Sequence, residues 1–281
     1  MKTLVALIFF FAFAFAQTNP PEFPDTVYGP YVKLVSSLEL NGYTFELWSP
    51  DSKDSFAGRA LRTISPDGEV IETEDFMIEL AQTDNNDINK NGIPDIEIQS
   101  FSGGAHCCFG TTVLELSSPA AVIFDHPFSE CPAVAEDLDN DGIPEYQSCD
   151  DRWAYEYCSY AESPLPTVVW RWNGDVYELA SQDYPQAYQA ELSRALELFL
   201  SLRAETVEWT PAPECSALAL TLPYLYMGQE ELAYEALKLS YSPEKVEDDA
   251  IFTSFDNVED FWQNILQVYN ESPLHTPLSQ P

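Results

Sequence analysis

Basic residues are scarce in this chain: 12 Lys and Arg stand against 47 Asp and Glu, a formal net charge of −35. Nucleic-acid binding needs a basic footprint, so that class of function is excluded. Docking on anionic lipid through a polybasic patch is excluded for the same reason. Histidine is limited to three residues, His106, His126 and His275. No GxSxG and no HExxH occurs, so serine-nucleophile and zinc-hydrolase patterns are missing. No CxxC pair occurs either, which leaves zinc ribbons and thioredoxin-type motifs without support. Nor does any apolar run reach the ~20 residues that span a bilayer as a helix.

Aromatic residues are plentiful, with 17 Phe, 15 Tyr and 6 Trp among 281 residues. That content argues against a disordered chain and is enough for a substantial core in one large or two ordinary domains. The start of the chain reads as a secretory signal. Lys2 precedes an uncharged apolar stretch over residues 4–16 that ends in Ala14-Phe15-Ala16, a small-x-small cleavage pattern. The expected compartment is therefore secreted, periplasmic or otherwise in the cell envelope, with no transmembrane segment after signal cleavage. There the six cysteines, Cys107, Cys108, Cys131, Cys149, Cys158 and Cys215, make up to three disulfides. Cys149 and Cys158 could close a small loop, with Cys131 a rival partner.

Periodicity divides the chain. After the signal peptide at residues 1–16, residues 17–181 read as a β-rich calcium-binding domain. Residues 43–48 alternate, Ser65-Pro66-Asp67-Gly68 marks one hairpin, and Asn173-Gly174 marks another with the strongest short turn signal. Residues 182–272 read as an α-helical domain, with helices expected over 188–202, 216–226, 230–241 and 258–269. Residues 224–237 resemble one tetratricopeptide unit, although an ordinary helical hairpin has the same features. Residues 273–281, with three prolines, read as a loose tail. The expected fold class is α+β, an N-terminal antiparallel β part followed by a C-terminal helical part.

Two segments fifty residues apart carry the chemistry. Residues 87–95 (DINKNGIPD) and 137–145 (DLDNDGIPE) share the pattern D-x-[DN]-x-[DN]-G-I-P-[DE]. Ca²⁺ takes ~6–8 oxygens at about 2.3–2.6 Å, and oxygen-bearing side chains at alternate positions of a tight loop converge on one point. The expected ligands are Asp87, Asn89, Asn91, the Ile93 carbonyl and Asp95 in loop 1. Those of loop 2 are Asp137, Asp139, Asp141, the Ile143 carbonyl and Glu145. Position 12, a bidentate Glu in an EF-hand, is Ile98 or Ser148 here, and the following residues alternate like a strand. These loops therefore lead into strands, not helices.

On these residues the chain resembles the FG-GAP/VCBS family of secreted calcium-binding repeats. In that family a DxDxDG loop with a nearby acid introduces a strand of a propeller blade. The resemblance covers residues 84–180, including Trp170-Arg171-Trp172-Asn173-Gly174-Asp175-Val176-Tyr177, which looks like a blade's outer hairpin. Ser102-Gly103-Gly104-Ala105-His106-Cys107-Cys108 is similar to a segment found beside such loops in uncharacterised secreted bacterial proteins. The resemblance implies a β fold and Ca²⁺ as the bound ion, and it implies no activity. A closed propeller takes at least ~4 blades. At ~40–50 residues each the chain has room for about three, so an incomplete propeller-like or compact β-sheet assembly is expected.

The leading functional reading is a secreted calcium-binding, non-enzymatic interaction module of the cell surface or envelope, with an unknown protein or glycan partner. An alternative is a secreted hydrolase whose carboxylate catalytic residues the sequence does not single out among 47 acids. A third is a copper or redox protein using His106, Cys107 and Cys108. Trp153, Trp170 and Trp172 are candidates for stacking on sugars, and equally for the core.

Overall fold

The computed structural model describes residues 31–50, 58–81, 86–104, 108–206, 211–243 and 255–278. The expected signal peptide at residues 1–16 lies outside them, as do His106 and Cys107. Among the described residues twelve strands form three four-stranded antiparallel sheets, each a meander in chain order. The first comprises β1 (Tyr31–Leu40), β2 (Tyr43–Pro50), β3 (Arg59–Ile64) and β4 (Val70–Asp75). The second comprises β5 (Met77–Ala81), β6 (Asp95–Phe101), β7 (Phe109–Glu115) and β8 (Ala121–Ser129). The third comprises β9 (Val134–Glu136), β10 (Glu145–Cys149), β11 (Thr167–Trp172) and β12 (Tyr177–Leu179). The α-helices described after them are α1 (Gln189–Arg203), α2 (Pro213–Tyr226), α3 (Glu230–Ser240) and α4 (Val258–Glu271). The class is α+β, and among the described residues the sheets do not close into a barrel. Among the described residues no helix is long and apolar enough to cross a membrane.

Local chemistry explains the turns. Asn41 and Gly42, with φ of 47° and 84°, join β1 to β2 through a two-residue turn whose twist matches the strands. The Asn173-Gly174 pair behaves differently. Asn173 Oδ1 accepts from the N–H groups of Asp175 and Val176, both at 3.0 Å, so the side chain builds a longer turn between β11 and β12. Two-sided burial also replaces the alternation expected in residues 43–48, because most of β2 is covered on both faces.

Apolar packing runs from sheet to sheet. Phe45 and Leu47 of β2 meet Ile78 of β5 and Ile96 of β6 between the first two sheets. A larger cluster joins Val113 and Phe124 of the second sheet to Tyr146, Val168 and Tyr177 of the third. It continues without a break into Leu218, Leu222 and Tyr226 of α2 and Phe261, Ile265 and Tyr269 of α4. Helix α2 is buried on nearly every side, as its apolar sequence demands.

Two disulfides with both cysteines among the described residues reinforce this packing. Cys131 pairs with Cys149 and Cys158 with Cys215, so the Cys149–Cys158 loop considered from sequence does not form. The rival pairing wins because Cys131 and Cys149 are brought to a Cα separation of 5.7 Å, within disulfide reach. The segment after α4, read from its prolines as a loose tail, is docked through residue 278. The Tyr269 hydroxyl donates to the Thr276 carbonyl at 2.7 Å, and Leu274 and Leu278 pack on the core.

Candidate metal centre

Both motif loops occupy the same place in their sheets. Loop 1 connects β5 to β6 and loop 2 connects β9 to β10, each the first crossing of a four-stranded meander. Position 9 of each motif, Asp95 or Glu145, is the first residue of the second strand. Ile98 and Ser148 lie within β6 and β10, so strands follow the loops as expected.

Three internal hydrogen bonds recur in both loops, and a fourth, from the Gly92 N–H to Asp87 Oδ2 at 3.1 Å, belongs to loop 1. Position 9 accepts from the N–H of position 2: Ile88 to Asp95 Oδ2 at 2.7 Å, Leu138 to Glu145 Oε2 at 2.8 Å. Position 3 accepts from the N–H of position 5: Asn91 to Asn89 Oδ1 and Asp141 to Asp139 Oδ1, both at 3.1 Å. Position 5 accepts from the N–H of position 7: Ile93 to Asn91 Oδ1 at 2.8 Å, Ile143 to Asp141 Oδ1 at 2.7 Å. Left-handed backbone at Lys90 and Gly92, and at Asn140 and Gly142, winds both loops tightly enough for this. The ten expected ligand residues lie in these two loops, and of the acids among the described residues the structure draws Asp137, Asp139 and Glu145 together, but not Asp87, Asp95 and Glu115 as closely.

Burial separates the two. In loop 1, Asn89 and Asp95 are buried, and Oδ1 of both Asp87 and Asp95 is enclosed without a hydrogen-bond partner. Burial pushes the Asp95 carboxyl up to about 6, and the charges of Glu115 and Asp87 add to the effect. Loop 2 is open: Asp137, Asp139 and Asp141 are exposed, and only Glu145 is buried. One oxygen from each of Asp137, Asp139 and Glu145 lies within 4.8 Å of the others. Oxygens that close need only small shifts to share one cation at ~2.4 Å. Burial raises Glu145 above the usual carboxylate range, with Asp139 and Asp141 contributing. The orphaned oxygens of loop 1 and the converging ones of loop 2 both suit a hard divalent cation such as Ca²⁺.

Three neighbours carry no signal in the motif itself. Glu115 ends β7 and pairs with Asp95 across the ladder. Its Oε2 accepts from the side-chain amides of Asn89, at 3.4 Å, and Asn91. The Tyr184 hydroxyl donates to Glu145 Oε1 at 3.1 Å and to Asp139 Oδ2 at 3.4 Å. Arg171 lines a polar cavity of about 430 Å³ beside loop 2, together with Asp139, Asp141, Glu145, Trp172 and Tyr184. Only strand register and the turn before α1 bring these residues in. The loops also touch each other, since a side chain at Gly142 would collide with Lys90 Nζ.

Other candidates resolve into structure. Cys108 is disulfide-bonded, which removes it as a free thiolate ligand. His126 is buried, with Nε2 2.9 Å from Ser148 Oγ and the ring packed edge-on to Trp170. Trp153 and Trp170 are core residues, whereas Trp172 is partly exposed.

No family model and no solved structure matches the chain. Over 157 residues it is 28% identical to a probable thylakoid lumen protein of Synechocystis sp.. The match covers 54% of this chain and 44% of that protein, so the chain spans less than half the length of the curated relative.

Proposed function

We propose that the chain is an extracytoplasmic, calcium-binding, non-enzymatic interaction module of the FG-GAP/VCBS type. The carrying observation is the repeated geometry: two loops that share three internal hydrogen bonds, each feeding the second strand of a four-stranded meander. The meanders themselves fit the blade-like repeat of that family. The Cys131–Cys149 and Cys158–Cys215 bridges fit an oxidising compartment, and the related protein's description as lumenal agrees with it.

In this reading the ion supplies positive charge where the fold concentrates carboxylates. Asp87, Asn89, Asn91 and Asp95 hold it in loop 1, and Asp137, Asp139, Asp141 and Glu145 in loop 2. The carbonyls of Ile93 and Ile143 complete the sets. Each ion gathers the loop that opens β6 or β10 and so steadies that end of the strand. The partner, a protein or a glycan, is recognised by the surface so steadied.

Calorimetry of the full chain tests this. Extracellular sites bind with Kd of roughly 10⁻⁴–10⁻³ M, so titration to several millimolar Ca²⁺ should show two binding events. Melting should rise with Ca²⁺ and fall in chelator. Absence of both heat and a melting shift would refute the proposal.

A further inference from the structure

We propose that Glu115 belongs to the cation site of loop 1 and supplies the charge that its two asparagines lack. The proposal rests on the cation-binding reading of the loops. Positions 3 and 5 are Asn89 and Asn91 in loop 1 but Asp139 and Asp141 in loop 2. Taken alone, loop 1 carries carboxylates only at Asp87 and Asp95, against four in loop 2. Glu115 makes a third. It is placed by the Asp95–Glu115 pair that ends the β6–β7 ladder. Its Oε2 is held by the amides of Asn89 and Asn91, the same two side chains that stand in for acids.

An independent observation points to a ligand here. Asp95 is 1% exposed, and its Oδ1 is buried with no partner. A desolvated carboxylate oxygen near two further acids, Asp87 and Glu115, is a place where a cation would offset both burial and repulsion. No salt bridge from Lys or Arg reaches this group among the described residues, and Lys90 turns away toward Gly142.

Sheet three gives the contrast. The β10–β11 ladder pairs Tyr146 with Trp170, as β6–β7 pairs Ile96 with Leu114. One step further toward the loop, the counterpart of Glu115 is therefore Arg171. Arg171 is engaged by Asp183 at 2.6 Å and Glu178 at 3.4 Å. The loop with fewer acids has a glutamate beside it, and the loop with more acids has an arginine. Cation affinity in such loops follows ligand charge count, so this exchange brings the two sites closer together in affinity.

The test uses the full chain with Ca²⁺ calorimetry, Tb³⁺ luminescence and thermal melting. Glu115→Gln keeps the size of the side chain and removes its charge. It should weaken one of the two binding events by ~10-fold or more, and Glu115→Asp should restore most of that loss. Asp139→Ala should instead affect the other event. Melting separates a cation role from a structural one. In chelator Glu115→Gln should melt no lower than the wild type, because it relieves repulsion with Asp95, whereas in millimolar Ca²⁺ it should melt lower. Two unchanged binding events in Glu115→Gln, or an equal loss of stability with and without Ca²⁺, would overturn the proposal while leaving the loops as cation sites. A wild type that binds no Ca²⁺ would overturn both.

Discussion

The Tyr226 hydroxyl donates to Asp150 Oδ2 at 2.5 Å, joining the C-terminal end of α2 to the residue after β10. Asp150 is fully enclosed, and three further groups converge on the pair. The Ser272 hydroxyl and the Arg152 N–H also donate to the Asp150 carboxylate, and the Trp153 indole donates to Tyr226 at 2.9 Å. A buried carboxylate is tolerated only when donors surround it. This one binds β10, α2 and the end of α4 into a single network.

Tyr226→Phe removes one donor and leaves Asp150 buried. The expected cost is ~2 kcal/mol, in the range for a hydrogen bond to a charged group. Urea unfolding should show it as a lower midpoint with an unchanged slope. Because one apolar cluster crosses from the third sheet into α2 and α4, strand and helix signals should shift together. A loss below ~0.5 kcal/mol would mean that the network is not carrying the contact between these elements.

Asp139→Ala removes the middle acid of loop 2 and one of the two carboxylates that Tyr184 bridges. Asp137 and Asp141 then face each other around a weakly held ion. At Ca²⁺ near 100 times Kd, binding contributes ~2.7 kcal/mol to stability by linkage. The wild type should melt lower in chelator, and Asp139→Ala should respond much less to Ca²⁺. Equal Ca²⁺-dependent shifts in the two proteins would remove Asp139 from the ligand set.

Glu191 gives a pH dependence of defined sign. Burial pushes its carboxyl up to about 7, against partial compensation from Thr167 and Arg194. Its Oε1 accepts from the Thr167 N–H at 3.2 Å, while Oε2 is enclosed without a partner. Between the unfolded value near 4.5 and the folded value the native state holds a proton that the unfolded chain has released. Stability from this group is therefore full below about 4.5 and declines as pH rises toward 7, by ~3 kcal/mol. Glu191→Gln should remove that decline. The difference in unfolding free energy between wild type and variant, measured from pH 4.5 to 8, should grow in the variant's favour. A flat difference would contradict the assignment.

The bridge between Cys158 and Cys215 closes 57 residues and fastens the β10–β11 connection to α2. Cys131–Cys149 closes 18 residues within the region of the third sheet. Loop-closure entropy makes the longer bridge the more stabilising, by ~4 kcal/mol against ~3. Replacing Cys158 and Cys215 together by Ala should lower the melting temperature more than replacing Cys131 and Cys149. Thiol labelling of denatured, unreduced protein should find none of these four cysteines free.

Much of the architecture was legible in one dimension because it depends on local periods. The spacing of Leu192, Ala195, Leu196 and Phe199 follows from 3.6 residues per turn, and α1 lies where that spacing runs. The loop pattern was legible for the same reason. Its geometry comes from bonds between residues two and seven apart, such as Asn91 to Asn89 and Ile88 to Asp95. Turns were harder, since Asn173 formed its bonds with the chain ahead of it and lengthened a turn that its dipeptide signalled as short.

What no local pattern contains is which distant residues meet. Glu115 reaches loop 1 because β6 and β7 pair in one register out of several, and a shift by one residue would turn it to the other face. Tyr184 reaches Glu145 across 39 residues, Tyr226 reaches Asp150 across 76, and Cys158 finds Cys215 across 57. The two loops, with their alternating oxygens and left-handed glycines, were written into short stretches of chain. Their surroundings were not: one loop enclosed beside a glutamate, the other open beside an arginine. That difference arises because sheet register and the packing of the helices on the third sheet choose each loop's neighbours, and such choices are made by the apolar burial of the whole chain.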